Sequence, residues 1–338
     1  TRIEDSAMTV SRLHLNIATA DYDHVRDIAL GRISAEGITL NYQIYPIEET
    51  FFRFTQYREW DVSEMSFAKF VSVMSGDAPD IIGLPVFTSR MFRLASIYVN
   101  ANGPVKSGAD LAGKRIGVPE WAQTAAIYTR GWMTDELGIP LSGVTWVQAG
   151  LNEAGRREQV KLKLPDGITL VSEPEKSLRD MLRDGEIEAM FSARPPAGVH
   201  STHDMIVPMF PDARAVETDY FRKTGVFPIM HTIAVKRAVY ERNPWIAQNL
   251  YKAFHAARTA SLARIFDRQA SRLFVPWIAD FAEETRKVLG KDFFPYGIEE
   301  NRRTLDVYLK WCFEQGIARR PMKPEELFAP ETRTAFRV

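Results

Sequence analysis

The residues with most chemical reach fall just after runs of apolar residues. Arg90 and Arg93 flank Met91-Phe92 directly after the apolar run Ile81–Phe87. A guanidinium fixed there presents a planar fork that matches a carboxylate through two parallel hydrogen bonds. Arg194 sits in a similar place, between Ala193 and Pro195-Pro196, and the prolines restrict its loop. For each arginine the alternative is an ion pair on a solvated loop. Glu64 and Glu120 lie beside Met65 and Trp121. A carboxyl desolvated by such neighbours has a raised pKa and serves as a general acid, whereas the dipole of a helix N-terminus would lower it. His231 follows the tight apolar approach Phe227-Pro228-Ile229-Met230 and is the best acid/base candidate among the six histidines, with a structural histidine as its alternative. The helix start at Gln123-Thr124-Ala125-Ala126 offers unpaired N–H groups to an anion.

Other chemistries find little support. His200 and His203 stand three apart without a third ligand nearby, so no metal is expected. His14, His24 and His255 read as outward-facing. The sequence contains no H-E-x-x-H, P-loop, G-x-G-x-x-G or G-x-S-x-G pattern, which disfavours zinc-protease, nucleotide-driven, hydride-transfer and serine-hydrolase chemistry. Across 338 residues, 43 Lys+Arg balance 43 Asp+Glu, with no basic stripe, so neither nucleic acid nor an anionic membrane is an expected partner. Cys312, the single cysteine, cannot form an internal disulfide and reads as a small buried hydrophobe. Thr1–Ser11 is polar and lacks the apolar core of a secretory signal, so the first expectation is a cytoplasmic protein.

The elements that position these residues alternate. Leu13–Ala18, Ile38–Tyr45, Trp60–Ser66, Asp80–Val86 and Ser96–Asn100 read as strands, with helices after Asp21, over Phe51–Tyr57 and from Phe67 to Gly76. This rhythm predicts a mostly parallel sheet flanked by helices. A second α/β unit follows, with strands at Arg115–Val118, Val144–Gln148, Ile187–Phe191 and His231–Val235, and helices to Leu137 and over Ser177–Asp184. After Tyr240 the pattern is helical through Trp245–Phe266, Phe281–Leu289 and Glu299–Gln315, ending in a polar tail from Arg319. Two architectures fit: successive beads, or two lobes with the C-terminal helices returning to the first. The second closes a cleft. Ligands of open α/β sheets sit beyond the carboxyl ends of strands. The polar residues there are Asp21-Tyr22, Ser63–Ser66, Thr88-Ser89-Arg90, Glu120–Thr124 and Ser192–Arg194.

Several blocks also carry a family likeness: Asp21-Tyr22-Asp23, Pro46–Phe52 (PIEETFF), Tyr57–Phe67 (YREWDVSEMSF), Pro85–Arg93 (PVFTSRMFR), Ile97–Asn100 and Gly113–Ala125 (GKRIGVPEWAQTA). Asp180–Arg194 (DMLRDGEIEAMFSAR), Gly225–His231 (GVFPIMH), Tyr240–Phe254 (YERNPWIAQNLYKAF) and Pro295–Asn301 extend it. Together they resemble the 4,5-dihydroxyphthalate decarboxylases, a family related to the type II periplasmic binding fold. The resemblance implies two α/β lobes, residues 1–98 plus 232–338 and residues 99–231, with the ligand between them. It also implies conversion of 4,5-dihydroxyphthalate to 3,4-dihydroxybenzoate and CO₂ without metal or other cofactor. Arg90, Arg194 and Arg93 would then hold carboxylates, aided by the Gln123-Thr124 helix start. Asp21, Tyr22, Ser66, Ser89 and Phe227 would complete the substrate site, and Glu64, Glu120 and His231 would supply acid/base chemistry. The competing reading is a solute-binding protein for a small aromatic or other carboxylate, feeding a transporter, since one cleft can serve either purpose. The aromatic residues Phe51, Phe52, Phe54, Trp245, Trp277 and Trp311 read as core rather than subunit interface, and a homo-oligomer stays open.

Overall fold

The first apolar run folds as a strand, β1 (Leu13–Thr19), with Leu15, Ile17 and Ala18 buried. In the computed structural model, which describes residues 12–158, 160, 162–201 and 203–333, helix and strand then alternate. α1 (Asp23–Ala29), β2 (Ile38–Ile44), α2 (Ile47–Tyr57), β3 (Val62–Ser66), α3 (Phe67–Met74) and β4 (Ile81–Arg90) complete the first stretch. The next contains β5 (Ile97–Asn100), β6 (Arg115–Val118), α4 (Thr124–Leu137), β7 (Thr145–Gly150), β8 (Thr169–Ser177), α5 (Leu178–Arg183), β9 (Ala189–Phe191), β10 (Ile206–Pro208) and α6 (Ala213–Thr224). β11 (Ile229–Lys236) is followed by α7 (Arg237–Arg242), α8 (Ile246–Ile265), α9 (Ile278–Leu289) and α10 (Arg302–Glu314). Thr1–Ser11, where the absence of a signal was read, lies outside the described residues.

The strands form two mixed sheets, ordered β2-β1-β3-β11-β4 and β10-β5-β9-β6-β7-β8. In the first, β1 runs parallel to β2 and β3, and β11 enters antiparallel between β3 and β4. The chain therefore leaves the first sheet after β4, builds the second, and returns through β11. In the second sheet β6 is parallel to β7 and β9, β7 to β8, and β5 is antiparallel to β9 and β10.

Three elements escape the periodicity reading for physical reasons. β8 carries Glu173, Pro174, Glu175 and Lys176 on an edge, where charge and proline block further pairing. β10 has three residues, and α6 has no buried residue, so neither leaves a strong apolar signature. The segment after Arg319 is not a loose polar tail. Leu327, Phe328 and Ala329 are buried, and Gly83 bonds to this segment on both sides, donating to Leu327 O and accepting from Ala329 N–H, each at 2.9 Å. The aromatic expectation holds only in part: Phe54 and Trp311 are buried, but Trp277 is 64% exposed, and Phe52 and Trp245 are also exposed.

An aromatic stack ties the C-terminal helix to both sheets' helices. Tyr308 on α10 stacks on Phe67 of α3 at 4.9 Å and on Tyr128 of α4 at 4.7 Å between ring centroids. Trp311, one turn further, lies flat against α4 at Gly131, where a Cβ would meet the indole at 2.2 Å. Gly131→Ala is expected to destabilise the protein by about 1–3 kcal/mol through overpacking. A lower urea midpoint at unchanged m-value would show it, and an unchanged midpoint would mean that the helices separate freely. Among the described residues no helix is long and apolar enough to cross a membrane.

Candidate functional site

Strand register brings the first two candidates together. His231 stands opposite Ser66 and Ile233 opposite Glu64. Paired residues of antiparallel strands share a face, so Glu64 and His231 are diagonal neighbours. The Glu64 Oε1 lies 2.8 Å from His231 Nδ1. The same oxygen accepts the Tyr22 hydroxyl at 2.7 Å and the Thr88 hydroxyl at 2.9 Å, and Oε2 accepts the Ala20 N–H at 2.8 Å. Tyr22 Oη is also 3.2 Å from Nδ1. The ends of β1, β3 and β4 and the start of β11 thus converge on one fully buried carboxylate.

Burial pushes the Glu64 carboxyl up, but the hydrogen bond and charge of His231, the Ala20 N–H and the Tyr22 hydroxyl outweigh it and hold it below the usual carboxylate range. Glu64 is therefore a hydrogen-bond acceptor, and of the two states that the sequence left open it takes the lowered-pKa carboxylate. Burial, with Glu64 alongside, pushes the Tyr22 phenol far up, so it remains a donor. A carboxylate partner makes Nδ1 the protonated nitrogen and leaves Nε2 as the ring atom available to a ligand. Phe51 packs edge-on against the imidazole at 4.8 Å, fixing its plane.

His24 is not outward-facing. Its Nε2 lies 2.9 Å from Thr88 O and its ring stacks on Tyr22 at 5.1 Å. Burial lowers its pKa to about 4. A folded value below the ordinary ~6.5 gives stability that is complete above pH ~6.5 and is lost as pH falls toward the folded value, because the unfolded chain takes up the proton first. The melting temperature should drop between pH 7 and pH 4, and His24→Gln should flatten that slope in calorimetry. An identical slope in the variant would remove His24 from the account.

A second charged cluster stands on the opposite segment of chain. Arg156, after β7, places Nε and Nη2 at 2.9 and 2.7 Å from Glu120 Oε1, and Lys69 Nζ lies 3.6 Å from Oε2. Lys69 and Glu120 are both buried. The Glu120 carboxylate is thus a counter-charge rather than an isolated acid in an apolar pocket. Thr124 Oγ1 accepts the Ala68 N–H at 3.1 Å and lies 3.1 Å from Ser66 Oγ, joining the starts of α3 and α4. Gln123 Oε1 accepts the Ala193 N–H at 3.1 Å and holds the loop after β9.

Between these groups lies a cavity of about 1000 Å³. His231, Glu120, Arg93, Arg194, Ser66, Gln123 and Thr124 line it, with Glu64 and Tyr22 directly behind His231. It lies at the carboxyl ends of β3, β6, β7 and β9, where open α/β sheets place ligands. Arg93 is held by neutral acceptors, with Glu217 as the acid near it. Its Nη1 donates to Ala193 O at 3.1 Å and its Nε is 2.9 Å from Met230 Sδ, but it forms no ion pair among the described residues. Burial lowers its pKa to about 10, still a cation at neutral pH. Arg194, 61% exposed at the rim, pairs with Glu48 at 3.3 Å.

Besides Glu64 and Tyr22, which stand behind His231, four expected site residues do not line the cavity. Arg90 is spent on the scaffold: it donates to Asn301 Oδ1 at 2.6 Å, Phe227 O at 2.7 Å and Pro295 O at 3.3 Å, and lies over the Phe227 ring at 4.2 Å. Phe227 serves that contact rather than a ligand. Asp21 faces outward in a two-point ion pair with Arg26. Ser89 stands opposite His231 where β4 pairs with β11, on the strand that also carries Thr88. Conversely, the reading from sequence missed Lys69, Arg156 and Phe51. Lys69 had a signal, a lone charge in the otherwise apolar helix FAKFVSVM. Arg156 had none, because its loop shows no pattern. No group of three or more His, Cys, Asp or Glu residues able to hold a metal occurs among the described residues.

No protein-family model matches the chain. Solved structures of similar shape include the periplasmic aliphatic sulphonate binding protein of Escherichia coli, at TM-score 0.49 and 12% identity over 95% of this chain and 99% of that one. A desulfurization enzyme aligns at TM-score 0.47 and 15% identity over 95% of this chain and 97% of that one. Sequence relatives are much nearer. The 4,5-dihydroxyphthalate decarboxylase of Pseudomonas putida is 34% identical over 63% of this chain and 83% of its own length. That of Comamonas testosteroni is 34% identical over 97% of this chain and 100% of its own length. With identity at that level sustained from end to end, this chain belongs to the 4,5-dihydroxyphthalate decarboxylase family.

Proposed function

We propose that the protein converts 4,5-dihydroxyphthalate to 3,4-dihydroxybenzoate and CO₂ in the cavity between two lobes, one built on each sheet, with the boundaries expected from the sequence. The observation that carries this reading is the contact of buried Glu64 with His231 in the wall of a polar cavity that also holds Arg93, a cation in no ion pair among the described residues. Direct loss of CO₂ would leave an aryl carbanion, so the ring carbon bearing the departing carboxylate is protonated first. The hydroxyl para to that carbon supplies the electron density. His231 Nε2 gives the proton, forming the C–H bond, and the Glu64 carboxylate at Nδ1 stabilises the imidazolium from which it comes. The carbon–carboxylate bond then breaks, its electron pair restores the aromatic ring, and CO₂ departs. His231 regains a proton from solvent. Arg93 holds the retained carboxylate throughout.

Cationic side chains fill the polarising role in this scheme. Incubation with 4,5-dihydroxyphthalate should release one CO₂ per 3,4-dihydroxybenzoate formed. Tight binding of the substrate with no CO₂ would instead identify a solute receptor.

A further inference from the structure

We infer that Phe51 is the surface on which the substrate's aromatic ring lies, and that it turns the face of that ring toward His231. The identity of the substrate rests on the function proposed above, whereas the role of Phe51 rests on the placement of its side chain and on one angle. α2 carries two apolar pairs at helical spacing. Thr50 and Phe54, four residues apart, are buried in the core. Ile47 and Phe51, also four apart, are half-buried and line the cavity instead. Phe51 is thus not a core side chain, and a phenyl ring left half-exposed in a polar cavity gains by meeting another flat apolar surface.

Among the described residues the Phe51 ring makes one aromatic contact, with His231, at 4.8 Å between centroids and 86° between planes. Rings at that angle do not stack, so the contact leaves Phe51 a face for a flat ligand. Phe52 also lines the cavity, but it is 48% exposed and set at 84° to Tyr57, which makes it part of the rim. Met230 lines the cavity beside His231 and contributes a thioether, a group that packs well against aromatic rings.

The angle matters for the chemistry. Protonation of a ring carbon forms the new C–H bond along the axis of the ring's p orbitals, at right angles to the ring plane. The proton on an imidazole nitrogen lies in the imidazole plane. These two directions coincide only when the rings stand roughly perpendicular. A substrate ring lying parallel to Phe51 stands so, because Phe51 itself is at 86° to His231. The imidazole is kept from turning by Glu64, which holds Nδ1 at 2.8 Å. Arg93 Nε bonds to Met230 Sδ, the residue before His231, so a carboxylate held by Arg93 lies on the His231 side of the cavity. One side chain therefore serves recognition, of a flat ring over a puckered one, and orientation of that ring toward its proton donor.

The test compares phthalate with cis-cyclohexane-1,2-dicarboxylate, which carry the same two carboxylates on a flat ring and on a puckered one and lack the hydroxyls that the reaction needs. Calorimetry measures both on the wild type, Phe51→Leu and Phe51→Tyr, with melting curves to confirm folding. The wild type should prefer phthalate. Phe51→Leu should lose about threefold to tenfold of that preference, and Phe51→Tyr, which keeps the ring face, should retain it. With 4,5-dihydroxyphthalate, Phe51→Leu should lower kcat by about tenfold or more, since a misplaced ring loses its alignment with the donor, and Phe51→Tyr should restore most of it. A wild type without the preference would overturn the inference. So would a preference unchanged in Phe51→Leu, and a fall in kcat beside it would leave Phe51 as a prop for His231. A preference present in the wild type and lost in Phe51→Leu, with no CO₂ released by the wild type, would support the platform while refuting the decarboxylase function.

Discussion

His231→Asn should cut CO₂ release by about 10²–10⁴-fold, the range associated with removing a positioned acid or base, while KM changes little. Asparagine approximates the ring's volume and retains an amide that can face Glu64, so loss of fold is not the expected cause. The imidazole matters because its two nitrogens are divided between two tasks. Nδ1 is committed to Glu64 at 2.8 Å and Nε2 is left for the substrate. Glu64→Gln should give a similar fall in kcat by a different route. It keeps the shape of the network but removes the charge that stabilises the imidazolium, so the pH profile should shift as well as fall. A variant pair with full kcat would place the proton donor elsewhere in the cavity. A fall in both accompanied by a matching loss of melting temperature would make the pair structural.

Arg93→Gln should raise KM by about tenfold to a hundredfold, the cost of one lost charge-assisted contact of roughly 1.5–3 kcal/mol. Non-hydroxylated phthalate, measured as an inhibitor, should weaken in parallel. Arg93→Lys should restore little, because an ammonium lacks the planar fork that can keep Ala193 O and a carboxylate in one plane. Arg90 supplies the contrast. Its donors serve Asn301, Phe227 and Pro295, so Arg90→Gln should lower stability first and affect KM only through the displaced scaffold. Equal KM values for wild type and Arg93→Gln would remove Arg93 from substrate binding. These two arginines share a loop signature in sequence, and their different fates follow from which way the chain turns after β4.

The local order of the chain was readable because helices and strands impose periodicity on their own residues. β1 and α3 announce themselves by apolar spacing, and α4 by its glycine stop, Gly138, which takes the left-handed conformation at its end. The same reasoning singled out Glu64, Glu120, Arg93 and His231, since polar residues at the ends of apolar strands have few structural reasons to be there. Their partners were not readable. Glu64 and His231 are 167 residues apart, and only the antiparallel insertion of β11 beside β3 makes them diagonal neighbours. That pairing chose between the two states that the sequence left open for Glu64, because a buried carboxyl among four hydrogen-bond donors is stabilised as the anion, whereas one among apolar side chains is not. The residues alone thus named the candidate reagents by type and position along the chain; which arginine meets the cavity, which carboxylate has a counter-charge and which ring nitrogen is left over were decided by tertiary contacts, since an electrostatic environment is set by neighbours in space.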